Sequence, residues 1–260
     1  MTKQFVMNNK LVEQANEWMQ PTRFKDYGPN GLQVEGKSEV TKLVTGVTAS
    51  LELIEAAANA GADAILVHHG LFWRGQEGTL TGWMRGRVAK LIHNNINLIA
   101  YHLPLDAHPL YGNNAQLAIH LGLQMRETFG DQNLGHIGFV TPGTQGAESF
   151  CINDLALRVE RVLGRTPTVI AGDKSRRIGK IAWCTGGAQS WFEDAIYAGA
   201  EAFITGEISE PQAHLAKETG VAFLACGHHA TERYGVQALG QALAEKFSIE
   251  HQFIDVDNPA

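Results

Sequence analysis

Two adjacent histidine pairs, His68-His69 and His228-His229, and two acids placed four residues after a histidine, Asp106 after His102 and Glu232 after His228, are the residues in this 260-residue chain best suited to chemistry. Imidazole nitrogen and carboxylate oxygen together bind first-row divalent metals. Thiolate is not part of the pattern, because Cys151, Cys184 and Cys226 form no C-x-x-C pair. Such a mixed set suits Mn, Fe, Zn, Co or Ni rather than a structural cysteine-type zinc. The competing reading for either pair alone is a hydrogen-bonded or surface histidine near a strand end, and it is the one adopted for His93, His120, His136, His214 and His251. Cys226 reads as a small core residue, Arg74, Arg85 and Arg87 as solvated loop charges with the grip of an anionic substrate as the alternative, and Trp73, Trp83, Trp183 and Trp191 as core or interface residues.

Spacing sharpens the metal reading. The apolar stripe Val236, Leu239, Leu243 and Phe247 predicts a C-terminal helix, and stepping back by four residues reaches Glu232 and then His228. Both side chains then share one inward face, where an unpaired charge is costly to bury. Adjacent strand residues point to opposite faces, so His68 and His69 would need a turn at Gly70 to serve together. One ligand for each of two neighbouring metals is the simpler arrangement. Asp106 adds a hard oxygen, and the two oxygens of Glu232 can bridge. The candidate ligands are therefore His68, His69, Asp106, His228 and Glu232.

The elements that must position them alternate between strand and helix. Strands are predicted at 43–48, 64–67, 97–101, 168–171, 181–184, 202–205 and 221–225. Helices are predicted at 51–60, 86–94, 114–121 and 152–163, and after a capping box at Ser209-Glu-Pro-Gln212. The fold class is α/β. The polar, glycine-rich stretch 130–146 reads as a boundary. The segment Val44-Thr-Gly-Val-Thr…Ala60-Gly-Ala-Asp is echoed at Cys184-Thr-Gly-Gly…Ala198-Gly-Ala-Glu, which suggests two related halves. His68-His69, His102 to Asp106, Glu207 and His228-His229 all follow predicted strands, the edge where open α/β sheets gather ligands.

A net charge of −6, with 44% hydrophobic and 18% charged residues, describes a chain that buries a core and disfavours a broad basic face for duplex nucleic acid or anionic lipid. No 18-residue apolar run and no signal-peptide core is evident, so the expectation is a soluble cytoplasmic protein. No P-loop or dinucleotide fingerprint names a substrate.

The ordered segments Tyr27-Gly-Pro-Asn-Gly-Leu-Gln-Val34, Thr45-Gly-Val-Thr-Ala49, Gly61-Ala-Asp63, Val67-His-His-Gly70, His102-Leu-Pro-Leu-Asp106, Gly112-Asn-Asn-Ala115, Phe203-Ile-Thr-Gly-Glu207 and Gly227-His-His-Ala-Thr-Glu232 resemble the bacterial GTP cyclohydrolase I type 2 homologues, the NIF-three-like dinuclear-metal family. The resemblance implies two interlinked α/β domains of related topology with mixed, largely parallel sheets, 1–128 with 226–260 as the metal-binding one and 129–225 as the second. It also implies a ring-shaped homohexamer and two divalent ions per subunit on His68, His69, Asp106, His228 and Glu232, with Glu232 bridging. His102 and Glu207 are implied near-site groups able to move protons. The implied activity is a metal-dependent hydrolase opening a purine nucleotide ring as GTP cyclohydrolases do. The alternatives are a phosphoester or damaged-nucleotide hydrolase, and a non-catalytic metal-containing scaffold.

Overall fold

The computed structural model describes residues 4–141 and 150–260. It divides into two compact units, Met1–Gly112 with Gly235–Asp257, and Asn113–Tyr234 with Asn258–Ala260.

The sheet of the first unit runs in the order Glu250–Phe253, Lys42–Thr48, Ala64–His69, Asn97–Ala100, Gly31–Val34. The first four strands are parallel and the last is antiparallel. Strands covered on both faces must be apolar on both. Accordingly Leu43, Leu66 and Ile99 pack with Leu239 and Leu243 on one side, while Val44, Ile65 and Leu98 pack with Leu53, Ile54, Val88 and Leu91 on the other. Helix Leu51–Asn59 follows the second of these strands. The Ser50 hydroxyl accepts from Leu53 N at 3.1 Å at its start, and Gly61 (φ +73°) turns the chain after its end. The next helix covers Gly82–His93, starting at Gly82 rather than Gly86 as the sequence suggests.

The amino-terminal ends of these strands are tied together by Asp63, a buried carboxylate. It accepts from Thr41 N (2.9 Å), Thr41 Oγ1 (2.7 Å), Lys42 N (3.1 Å) and the Lys37 ammonium. Asn97, also buried, donates to the carbonyls of Lys37 and Asp63 at 2.8 and 3.1 Å. The opposite edge, where the strands end, carries the histidines.

The sheet of the second unit runs Leu123–Phe129, Gly135–Val140, Ile181–Trp183, Ala202–Thr205, Ala222–Ala225, Thr168–Ile170. Its third to fifth strands are parallel, with antiparallel pairing on either side. Both sheets thus contain three adjacent parallel strands followed by an antiparallel edge strand, the structural counterpart of the internal sequence echo. Helix Ile152–Leu163 ends at Gly164 (φ +72°), and the capping box at Ser209 and Gln212 opens helix Glu210–Thr219.

The unit boundaries lie at Gly112/Asn113 and Tyr234/Gly235 rather than near 128 and 226. Helix Asn113–Leu121 buries Leu117 and Leu121 in the second core, and Leu123–Phe129 pairs with Gly135–Val140. The stretch read as a boundary is, over 130–141, a turn and a strand of that sheet, and its 142–146 part lies outside the described residues. Among the described residues no helix is long and apolar enough to cross a membrane.

Burial opposes the charge of Asp63, but the hydrogen bonds from Lys37, Thr41 and Lys42 outweigh it and hold its pKa below the ordinary 3.8. Its contribution to stability is therefore complete above the unfolded value and is lost as pH falls through the lower, folded one. Asp63→Asn is expected to cost about 2 kcal/mol at pH 7. Urea melts should show the gap between variant and wild type closing in strong acid.

Candidate metal centre

In the first unit, His68 and His69 are the last two residues of the strand Ala64–His69. His68 is fully buried, and its Nδ1 lies 3.0 Å from the carbonyl of Tyr101. A carbonyl only accepts, so Nδ1 carries the proton and the lone pair of the neutral ring sits on Nε2. That nitrogen faces Asp106 Oδ1 at 3.6 Å. Two acceptors so placed suit a shared cation or proton. His69 Nδ1 lies 3.1 Å from the hydroxyl of Thr48, its neighbour across the parallel ladder. The expected turn at Gly70 is not what brings the pair together. The strand runs through His69, and the two rings stand with centroids 4.6 Å apart and planes tilted by 46°.

His102 joins them, its ring 5.0 Å from that of His68 and 5.7 Å from that of His69. Its Nδ1 is 2.6 Å from Asp26 Oδ1. His68, His69 and His102 offer ligand atoms all within 4.8 Å of one another, a grouping that could hold a metal ion. Asp106 sits in the short helix Leu103–Ala107 that follows. Asp26 also accepts from Asn30 Nδ2 (2.8 Å), Tyr27 N (2.7 Å) and Leu103 N (3.0 Å). Burial disfavours its charge, yet bonds from His102 and Asn30 prevail and lower its pKa. Asp26 is absent from the sequence-based candidates. The available signal is its position next to the Tyr27-Gly-Pro-Asn30 motif, whose Asn30 accepts from the backbone N–H of His102 at 2.8 Å.

In the second unit, three loops leave the parallel strands and close on one another through glycines. Gly206 N donates to Gly186 O at 2.8 Å, and Gly227 N donates to Gly206 O at 2.9 Å. A Cβ on Gly206 would meet Gly186 O and His228 Cα at 2.6 Å. This packing holds His228 with Nδ1 2.6 Å from Glu207 Oε1 and Nε2 3.2 Å from Glu232 Oε2. Burial alone would lower the His228 pKa, but Glu232 and then Glu207 reverse this and raise it to about 9. Glu232, only 3% exposed, rests on Gly186 (φ +70°), where an added Cβ would come within 2.1 Å of Oε1. The predicted single helix is broken. His228–Thr231 forms one turn, Glu232 leaves helical geometry (φ −109°, ψ 7°), and Arg233–Phe247 carries the apolar stripe. The four-residue spacing survives the break, which is why the pair still meets.

Four of the histidines read as ordinary lie apart from these groups. His136 packs against Trp183, His120 stacks on Tyr234, His251 bonds Thr45, and His214 pairs with Glu210 on an exposed helix. The Cys226 thiol is fully buried, which pushes its pKa up.

Residues 6–259 match the Duf34/NIF3 (NGG1p interacting factor 3) family, and the chain belongs to it. A Neisseria meningitidis serogroup A protein named "GTP cyclohydrolase 1 type 2 homolog" is 50% identical over 256 residues, covering 98% of this chain and 100% of that one. An Escherichia coli K12 protein of the same name is 46% identical over 253 residues, 97% of this chain and 99% of its own. Among solved structures, protein ybgI, described as of unknown function, superposes with a TM-score of 0.89 at 46% identity, covering 98% of this chain and all of that one. A crystal structure of a Thermus thermophilus protein gives 0.86 at 30% identity with the same coverage.

Gly186→Ala forces a left-handed backbone onto alanine, at about 1–2 kcal/mol, and displaces the Glu232 carboxylate. The imidazole titration of His228, followed by NMR, should move down from about 9 while the circular dichroism of the fold is retained.

Proposed function

We propose that this chain is a metal-dependent hydrolase acting on a purine nucleotide, with two divalent ions held by His68, His69, Asp106, His228 and Glu232. The observation that carries the reading is a shared orientation. Nδ1 of His68, His69, His102 and His228 meets, respectively, a carbonyl, a hydroxyl and two carboxylates. The carbonyl partner fixes the proton of His68 on Nδ1, and an imidazole with one nitrogen set against oxygen is the usual form of a metal-ligating histidine. The donor set is nitrogen and oxygen throughout, which fits Mn, Fe, Zn, Co or Ni. Divalent ions, when bound there, supply Lewis-acid polarisation of the attacked group and acidify water at neutral pH.

The residues around the ligands have their own tasks. Glu207 orients His228 through the 2.6 Å contact. Asp26 orients His102, which is placed to carry a proton between water and a ring nitrogen. In the cyclohydrolase reading one water adds at C8 of guanine and the C8–N9 bond opens to a formamide. A second water hydrolyses the formamide, giving formate and the free amine. The family's relatives bear the cyclohydrolase name, which supports this choice. We place the protein in the cytoplasm as a homohexamer.

Incubation of the metal-loaded protein with GTP should yield formate. Phosphate release with undiminished purine absorbance would instead assign a phosphoester hydrolase. Glu232→Ala should abolish turnover while the melting temperature stays close to wild type, whereas a scaffold would lose stability and have no turnover to lose. Asp26→Asn should reduce formate production by about 10- to 100-fold through the misdirected His102 ring, with metal content by mass spectrometry little changed.

A further inference from the structure

An open pocket of about 400 Å³ in the first unit, lined by Asp26, Tyr27, Gly28, Phe72, Trp73 and Arg74 among others, shares only Asp26 with the site described above. That volume is within the range of small-ligand pockets. Its walls come from two loops, one before the strand Gly31–Val34 and one after the strand Ala64–His69. The loops are fastened to each other by main-chain contacts. Arg74 N donates to Tyr27 O at 2.6 Å, and Arg74 Nη2 donates to Asp26 O at 2.6 Å. Gly28 lies against the carbonyl of Phe72 so closely that an added Cβ would meet that oxygen at 2.4 Å. The pocket is thus built into the fold rather than being a gap between unconnected loops.

Its contents are aromatic and cationic. Tyr27 is 56% exposed and Trp73 is half-buried. Arg74 is exposed, and only one of its guanidinium N–H groups has a hydrogen-bond partner among the described residues. An exposed phenol and a partly exposed indole beside a guanidinium are groups that stack planar rings and grip an anion. The pocket also opens beside the histidines. The rings of Trp73 and His102 meet edge to face at 5.0 Å, Tyr27 and His102 at 6.0 Å, and Trp73 and His69 at 6.0 Å. A ring held here would lie next to the imidazole assigned to proton transfer.

We infer that the Tyr27–Trp73–Arg74 cavity is the subsite for a planar heteroaromatic ring bearing a phosphate, with Trp73 and Tyr27 stacking the ring and Arg74 holding the anion. This deepens the proposed function and rests on it for the choice of a purine nucleotide. The binding itself needs no metal.

That independence sets the test. Full-length protein stripped with a chelator, its metal content checked by mass spectrometry, is titrated calorimetrically with GMP, guanosine and ribose 5-phosphate. GMP should bind, Trp73→Ala should weaken it about tenfold or more, and Trp73→Phe should restore most of the loss. Arg74→Ala should weaken GMP and ribose 5-phosphate but leave guanosine nearly unchanged. Equal melting temperatures would show that the variants fold. The inference is overturned if stripped protein fails to bind GMP up to about 10 mM, or if both alanine variants bind it as wild type does. Either failure leaves metal binding by the histidines and acids untouched. Conversely, a protein that takes up no metal yet shows these losses keeps the subsite and loses the hydrolase reading.

Discussion

Buried imidazole and carboxylate groups must be compensated where they sit, and this requirement governs the carboxyl edge of both sheets. His68 and Glu232 are almost wholly removed from solvent, and Asp106 nearly so. An uncompensated charge in such a place would be expensive. The fold answers by engaging Nδ1 of His68, His69, His102 and His228 with an oxygen partner in each case. These contacts fix the orientation of each ring. The same bonds that make burial tolerable hold together, in the first unit, the His68, His69 and His102 group that could hold a metal ion.

The two edges of the first sheet divide the labour. At the amino-terminal edge, Asp63 and Asn97 are saturated with hydrogen bonds and serve the connections between strands. At the carboxyl edge, parallel strands end side by side, so residues distant in sequence converge without any long loop. Thr48, His69 and His102 come from the ends of three such strands. In the second sheet the equivalent convergence depends on Gly186, Gly206 and Gly227, because a side chain at any of them would occupy space already taken by neighbouring residues.

Not every distinctive residue in the family's motifs serves chemistry. Asn114 accepts from Thr185 N at 3.0 Å and donates to Leu134 O at 3.2 Å, while its own carbonyl receives the Trp183 indole at 3.1 Å. It clamps strands and helix of the second unit together. Trp73, by contrast, belongs to none of the apolar core clusters, and its half-buried ring meets that of His102 edge to face at 5.0 Å.

Much of the architecture was legible in the residues alone. The buried parallel strands are continuous apolar runs, and Ser50, Gly61, Gly164 and the box at Ser209 mark helix ends by local chemistry, so each could be placed without knowledge of its neighbours. His68, His69, Asp106, His228 and Glu232 stood out by type and spacing. Apart from Thr168–Ile170, the edge and antiparallel strands did not. Glu250–Phe253 has no fully buried residue and Leu123–Phe129 exposes most of its side chains, and both are held by backbone pairing, which leaves little apolar pattern to read. The break at Glu232, the seat that Gly186 provides for its carboxylate, and the pairing of Asp26 with His102 across 76 positions were likewise decided only in three dimensions. Residue type and local spacing determine which groups could bind a metal. Which nitrogen each offers, and which acid orients it, depends on partners far away along the chain, and only the folded structure supplies them.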